Sequence, residues 1–425
     1  MPVQIVLGSQ WGDEGKGKII DILSKKANLV VRSQGGNNAG HTIKLKNTTY
    51  TLKLIPSGIL YDNVKCLIDC GTVINPLALI NEIKELNNRQ ISLQNLKIDP
   101  RAHIITPWQI AIDEALETAR SNFDPIGTTK NGIGPCYADK AFRLGLRLID
   151  LTDKQTLTTK LNFVGSLQNK VLKNVFNSKP INIETTTESY YKFGEILKPF
   201  FADSVQLLHD AYANNESILF EGAQGSLLDI NFGTYPFVTA SNTTASGICA
   251  GSAIGSVKID QTIGVAKAYL TRVGEGPMPT EITNEIATTI RNIGQEFGTN
   301  TKRARRIGWL DCVLLNHSVA VNALTELAIN KLDVLQNINP LKICYAYKTT
   351  TGQIIKTLPP SLYELKRLTP IYEELPGFFE PISYCKTFNQ LPEACKSYLK
   401  RIESHCSCKI TMIGVGPLRS QNIKI

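Results

Sequence analysis

The stretch Gly8-Ser9-Gln10-Trp11-Gly12-Asp13-Glu14-Gly15-Lys16-Gly17-Lys18 constrains the chain more than any other. It follows Val3 to Leu7, an apolar run that reads as a buried strand, and precedes Ile19 to Lys26, whose pattern reads as a helix. A glycine-rich turn from strand to helix aims backbone N–H groups at one anion, and the helix N-terminus adds partial positive charge. Lys16 and Lys18 add full charges. Gly12 to Lys18 fits the G-x-x-x-x-G-K part of a phosphate loop, but Ile19 stands where Ser or Thr would hold Mg²⁺. Asp13, inside the loop, is the candidate replacement as metal ligand. The plainer alternative, a tight turn with surface lysines, leaves three glycines and an acid within seven residues unexplained.

Further strands are expected at Leu29 to Val31, Cys66 to Ile68, Ser217 to Phe220, Ile263 to Leu270, Leu327 to Leu332, Ile343 to Tyr347 and Ile410 to Val415. Residues 43 to 54 alternate about Asn47-Thr48 and read as a hairpin. Residues 107 to 123, and much of 150 to 215, have helical character. The class is α/β: a large, mainly parallel central sheet flanked by helices, with a P-loop-like N-terminal nucleotide site and a helix-rich insertion at about 100–215. No Pro/Ser-rich linker or repeat divides the chain, so residues 1–425 are expected to form one catalytic domain with insertions. Ligands are expected beyond the C-terminal ends of the strands.

Charge narrows the partners. Lys and Arg number 46 against 37 Asp and Glu, a net +9, which suits anionic partners. The ten cysteines are scattered rather than arranged as a small disulfide framework. His405-Cys406-Ser407-Cys408 lacks the four ligands of a zinc finger. Met1 to Gly8 lack the basic region and apolar core of a signal peptide, and no apolar run is long enough to span a bilayer. A cytoplasmic protein with reduced thiols and no membrane contact is the expectation.

Three more segments carry chemistry. His41 lies in Asn38-Ala39-Gly40-His41-Thr42, a loop after a strand. A lone histidine is more often structural, but its neighbours here are those of a binding loop. Asn330-Lys331-Leu332-Asp333 has the form N-K-x-D. A carboxylate there accepts from N1–H and the 2-amino group of guanine, a donor pair that adenine lacks, while a lysine stem covers the base. Lys302-Arg303-Ala304-Arg305-Arg306 is the densest basic run. It is either a solvated face or a loop that clamps a dicarboxylate through bidentate arginines. The remaining histidines, His103, His209, His317 and His405, are read as structural.

Taken together, these segments resemble the adenylosuccinate synthetase family. The match runs through Gln10 to Lys18, Gln34 to Thr42, Ile126 to Thr129, Gly132 to Pro135, Phe220 to Gly225, Gly233 to Pro236, Thr271 to Gly274, Arg303 to Arg306 with Gly308 to Asp311, Lys331 to Leu335 and Gly416-Pro417, in the family's order. The resemblance implies a GTP-dependent ligase that joins IMP to L-aspartate in AMP (purine) biosynthesis. The products are adenylosuccinate, GDP and phosphate, formed through a 6-phosphoryl-IMP intermediate. It implies Asp13 as general base and His41 as acid, with Mg²⁺ on Asp13 and the Gly40 carbonyl. The implied GTP contacts are Gly12 to Lys18, Gly40, His41, Thr42, Arg305, Lys331, Leu332, Asp333, Gly414, Val415 and Gly416. The implied IMP contacts are Asp13, Glu14, Gly15, Lys16, Asn38, Ala39, Gly40, His41, Thr129, Gln224, Thr239 and Arg303, with Arg143 reaching across a homodimer. Thr299, Asn300, Thr301, Lys302, Arg303, Ala304 and Arg305 would take aspartate. The sequence departs from common members at Asn37, Lys130-Asn131, Asn300, Lys302 and Gly414-Val415.

Two other classes compete. A guanine-nucleotide switch needs a Ser or Thr after Lys18, where Ile19 stands. A nucleic-acid binder using the arginine run needs interleaved aromatic residues, and residues 299 to 306 contain none.

Overall fold

The structure is a computed structural model that describes residues 2–46, 48–121, 125–298 and 303–425. Its centre is a nine-stranded sheet. The strands are β1 (Val3–Gly8), β2 (Leu29–Arg32), β5 (Lys65–Ile68), β6 (Leu96–Ile98), β7 (Ile218–Glu221), β8 (Gln261–Lys267), β9 (Glu326–Asn330), β12 (Lys409–Gly414) and β13 (Asn422–Lys424). Off this sheet lie a hairpin, β3 (His41–Lys44) with β4 (Thr49–Leu52), and an antiparallel pair, β10 (Leu341–Lys348) with β11 (Thr369–Leu375). The order across the sheet is β13-β12-β9-β8-β1-β7-β2-β5-β6. Every neighbouring pair is parallel except β12 with β13.

Both faces of this sheet are covered, which is why its strands read as continuous apolar runs. Alternation along β1 places Val3, Ile5 and Leu7 in one core and Val6 in the other. The first core takes in the helices Cys312–Asn322 and Glu393–Cys406 through Leu315, Tyr398 and Ile402. The second takes in α1 (Lys16–Ser24) through Ile19 and Ile20, and α2 (Pro76–Asn88) through Leu79 and Ile83. It also takes in α3 (Pro107–Arg120), α5 (Lys154–Phe176) and α6 (Ile183–Leu197) through Trp108, Leu161 and Leu197. With α4 (Ile133–Phe142) and α7 (Ser204–Ala213), these account for the helical stretch between β6 and β7.

The chain steps outward from β1 in one direction through β2, β5 and β6, then returns as β7 and continues on the other side as β8, β9 and β12. β1 is thus the switch point, and a crevice opens above its C-terminal end, where Gly8 begins the phosphate loop.

Several expected strands end early for identifiable reasons. The run Ile263 to Leu270 breaks after Lys267, and Leu270–Arg272 pairs instead with Arg306–Gly308. Gln10 causes the break: its Oε1 accepts the Lys267 N–H at 3.1 Å and its Nε2 donates to the carbonyls of Lys267 at 3.2 Å and Tyr269 at 3.3 Å. The run Leu327 to Leu332 stops at Asn330 because Lys331 turns left-handed, with φ 60°. Ile343 to Tyr347 is a strand, but in a smaller four-stranded sheet with Leu310–Asp311, Ile354–Ile355 and β11 rather than the central sheet. Of the hairpin turn, Asn47 lies outside the described residues, and Leu45 N–H to Thr48 O at 2.8 Å closes it. Among the described residues, no helix is long and apolar enough to cross a membrane.

Candidate functional site

The phosphate loop is shaped by its own side chains. Gly12 and Gly15 take φ of 105° and 79°, and Gly15 caps α1 in a left-handed conformation that other residues resist. The Glu14 carboxylate is fully buried and accepts the N–H groups of Gln10 and Gly12, each at 2.9 Å, and Lys16 Nζ at 2.8 Å. Glu14 therefore braces the loop from within, and what it offers a nucleotide is backbone. Lys16 Nζ also donates to Gly12 O at 2.9 Å. Lys18 points the other way, into the carbonyls of Gly416 at 2.8 Å and Gln421 at 2.6 Å. Burial lowers its pKa to about 8, against the pull of the Asp333 charge.

Above the loop is a cavity of about 840 Å³. Gly12, Asp13, Lys16, Asn38, Ala39, Gly40, His41, Thr129, Gln224, Thr239 and Arg305 all line it. Asn38, Gln224 and Thr239 form a polar arc: Gln224 Nε2 donates to Asn38 Oδ1 at 3.1 Å, and Asn38 Nδ2 to Thr239 Oγ1 at 3.5 Å. Gln224 Oε1 is buried without a partner and so can still accept. Asp13 is partly exposed, and its Oδ1 accepts Arg305 NH2 at 2.8 Å. Arg305 is itself buried; NH1 meets Glu296 Oε2 at 2.5 Å, and its Nε has no partner.

His41 opens β3, and Gly17 lets that strand lie on α1, since a Cβ there would come 3.1 Å from His41 Cβ. His41 Nδ1 pairs with Glu221 at the end of β7. Glu221 also accepts Ser57 N–H at 2.7 Å and Ser57 Oγ–H at 3.0 Å. His41 Nε2 is buried with no partner. Burial holds the His41 pKa below the ordinary imidazole value, although Glu221 favours the charged ring. Burial also works against the Glu221 carboxylate, yet His41, Ser57 and Arg32 hold its pKa low. With Nδ1 engaged by Glu221, Nε2 is the ring nitrogen left free for a ligand.

A second cluster sits at the ends of β9 and β12, beside the loop but not lining the cavity. Asn330 Nδ2 donates to the carbonyls of Glu14 at 2.9 Å and Gly15 at 3.1 Å, tying the N-K-x-D segment to the phosphate loop. A Cβ on Gly414 would meet Asn330 Oδ1 at 2.4 Å, so the late loop passes close by. Lys331 Nζ donates to Gly294 O at 2.6 Å and Glu296 Oε1 at 2.8 Å. Asp333 Oδ1 is buried without a partner. Leu332 and Val415 are wholly buried and can offer only backbone.

The other expected site residues fall elsewhere. Glu14, Gly15, Gly17, Lys18, Thr42 and Gly416 belong to the loop and its surroundings without lining the cavity. Arg303 and Ala304 are exposed beyond it, Ala304 bridging Phe297, while Thr299, Asn300, Thr301 and Lys302 lie outside the described residues. Arg143 is exposed at the end of α4 with φ 63° and does not line the cavity, although Phe142 and Leu144 beside it do. The basic run divides: Arg305 turns inward, while Arg306 pairs with Glu281. Of the other histidines, His317 meets Phe232 O at 2.8 Å and His405 meets Glu373 at 2.8 Å, while His209 is exposed beside Asp210 and the buried His103 Nδ1 has no partner.

The model of the adenylosuccinate synthetase family matches residues 5–423. The chain belongs to the adenylosuccinate synthetase family. It is 46% identical to the adenylosuccinate synthetase of Bacillus licheniformis over 417 residues, 98% of this chain and 96% of that one. The Listeria innocua enzyme is 48% identical with the same coverage. The fully ligated adenylosuccinate synthetase of Plasmodium falciparum superposes with a TM-score of 0.95 at 37% identity, covering all of both chains. The succinoaminodeoxyadenylate synthetase of cyanophage S-2L shares the fold, with a TM-score of 0.64 at 18% identity. Adenylosuccinate synthetases are GTP-dependent ligases of AMP biosynthesis, and this chain is one by its membership.

Four residues that hold the side chains described above were not singled out from sequence: Glu221, Ser57, Glu296 and Lys267. Glu221 lay within a recognised motif, but its partner is 180 residues away, and nothing in the sequence pairs them.

Proposed function

We propose that the cavity binds IMP beside Asp13 and His41, with GTP reaching in from the cluster of Lys331, Asp333 and Gly414. The observation that carries this is the convergence of Asp13, oriented by Arg305, and His41, oriented by Glu221, on one cavity floored by the phosphate loop. Asp13 removes the N1 proton of IMP, and O6 attacks the γ-phosphorus while GDP leaves. Phosphate charge at His41 Nε2 draws a proton onto that nitrogen, so the ring donates to the departing side of the nucleotide. The aspartate amine then attacks C6 and expels phosphate. The partnerless Nε of Arg305 is available to the aspartate carboxylate, with Arg303 and residues 299–302 nearby in sequence.

Asp13 and the Gly40 carbonyl both line the cavity, and as hard oxygen donors beside nucleotide phosphates they suit Mg²⁺. Bound there, Mg²⁺ would neutralise charge on the transferring phosphoryl group. Arg143 is exposed and does not itself line the cavity, although Phe142 and Leu144 on either side of it do, and this supports its service to the partner in a homodimer. Ten free cysteines, eight of them buried, fit a reducing cytoplasm.

The test supplies IMP, L-aspartate, GTP and Mg²⁺, then omits each in turn while following phosphate release and purine absorbance. Turnover should need all four. Phosphate release that ignores IMP would return the chain to the class of nucleotide switches. Asp13→Asn should abolish turnover with GTP still bound; persistent turnover removes Asp13 as the base.

A further inference from the structure

On the ligase reading above, we propose that Glu296 is a positioning residue that couples the guanine end of the site to the aspartate end. Its side chain is fully buried and receives four donors. Oε1 accepts Lys267 Nζ at 2.8 Å, Lys331 Nζ at 2.8 Å and Tyr269 OH at 2.6 Å, and Oε2 accepts Arg305 NH1 at 2.5 Å. Lys331 belongs to the segment that presents Asp333, and Arg305 is the group that holds Asp13 at 2.8 Å. One carboxylate therefore touches both halves of the site through charged donors.

The backbone reinforces the link. Arg305 N–H donates to Glu296 O at 2.9 Å, and Gly298 N–H to Arg303 O at 2.8 Å, so Glu296 and Arg305 are tied by backbone as well as by side chain. Arg305 bridges the two acids, with NH1 on Glu296 and NH2 on Asp13. Lys331 is likewise held by Glu296 and by Gly294 O. Three buried or half-buried cations share one interior anion, so displacing any of them leaves charge uncompensated and moves the others. Burial opposes ionisation of Glu296, but Lys267, Lys331 and Arg305 outweigh it and keep the carboxyl far below its usual range. The anion is thus present at every working pH.

Reciprocal linkage follows: a guanine nucleotide that fixes Lys331 tightens the binding of a dicarboxylate at Arg305, and the dicarboxylate tightens the nucleotide by the same factor. Calorimetry tests this with GDP as nucleotide and succinate as dicarboxylate, IMP being present throughout. In the unmodified protein, saturating succinate should lower the GDP Kd at least about fivefold. In Glu296→Gln the factor should fall below about twofold, with aspartate KM raised more than kcat is lowered and IMP Kd unchanged. Should that variant fail to fold, Lys267→Met with Glu296→Gln removes one buried charge of each sign and is read in the same way. Coupling that survives in a folded variant overturns the proposal, as does its absence from the unmodified protein or a parallel loss of IMP binding. Absence of four-component turnover in the unmodified protein strikes the ligase reading instead, whatever Glu296 does.

Discussion

Glu221 touches nothing that reacts, yet it decides which nitrogen of His41 faces the cavity. Its carboxylate favours the charged ring, while burial favours the neutral one. Replacing that charge lowers the imidazole pKa further. Activity that needs a proton on Nε2 is lost as pH rises through that pKa, so in Glu221→Gln the basic limb of kcat/KM moves to lower pH. The accompanying fall in kcat is expected to be about tenfold or more. An unmoved limb separates Glu221 from His41 protonation. At the other end, Asp333 holds a buried, partnerless oxygen. Asp333→Asn should weaken GTP by about tenfold and favour xanthosine triphosphate, whose 2-oxo group accepts the new amide N–H. Competition assays with the two nucleotides decide it; an unchanged preference removes Asp333 from base recognition.

The elements around these residues leave little slack. α1 and the His41 strand meet across Gly17, where an added methyl would also sit 3.3 Å from Thr42 O. Gly17→Ala is expected to cost about 1–3 kcal/mol of stability, since neither packed backbone yields easily. Denaturant unfolding checks the figure, and a loss of GTP affinity should accompany it; full stability in the variant would mean the hairpin rides loosely. This scale also shows what the sequence made legible. The phosphate loop and its flanking strand and helix were readable because glycine spacing and period agree over one short stretch. The hairpin was readable from alternation alone. The break after Lys267 was not, because its cause, Gln10, lies in another segment. The basic run read as one unit, yet Arg305 and Arg306 face different carboxylates, Glu296 and Glu281, that no local pattern reveals. The same holds for Glu221 and Ser57: motifs declare loops, whereas groups that orient a side chain from a distant strand have no local signature.

For the whole molecule, the homodimer proposed above can be probed at Phe142, which is exposed, is next to Arg143 in sequence and also lines the cavity. An acid placed there should separate two copies. On that proposed homodimer, Phe142→Asp is expected to sediment as a monomer and to lose turnover. A variant that stays dimeric, or a fully active monomer, removes the shared-site arrangement.

The position of β1 at the centre of the sheet has a consequence for biogenesis. Val3 pairs with Ile218, and Gln4 with Gln261. During synthesis from the N-terminus, the phosphate loop emerges early but has neither lateral support until over half the chain exists. Pairings at such separation are slow to form, because a long loop must close before any contact rewards it. Until then Ile5, Val6 and Leu7 are bare, a natural target for chaperones. The phosphate loop, made before both strands that flank β1, is therefore among the last segments to become competent, and a nascent chain released before β8 would carry the motif without the ability to hold a phosphate.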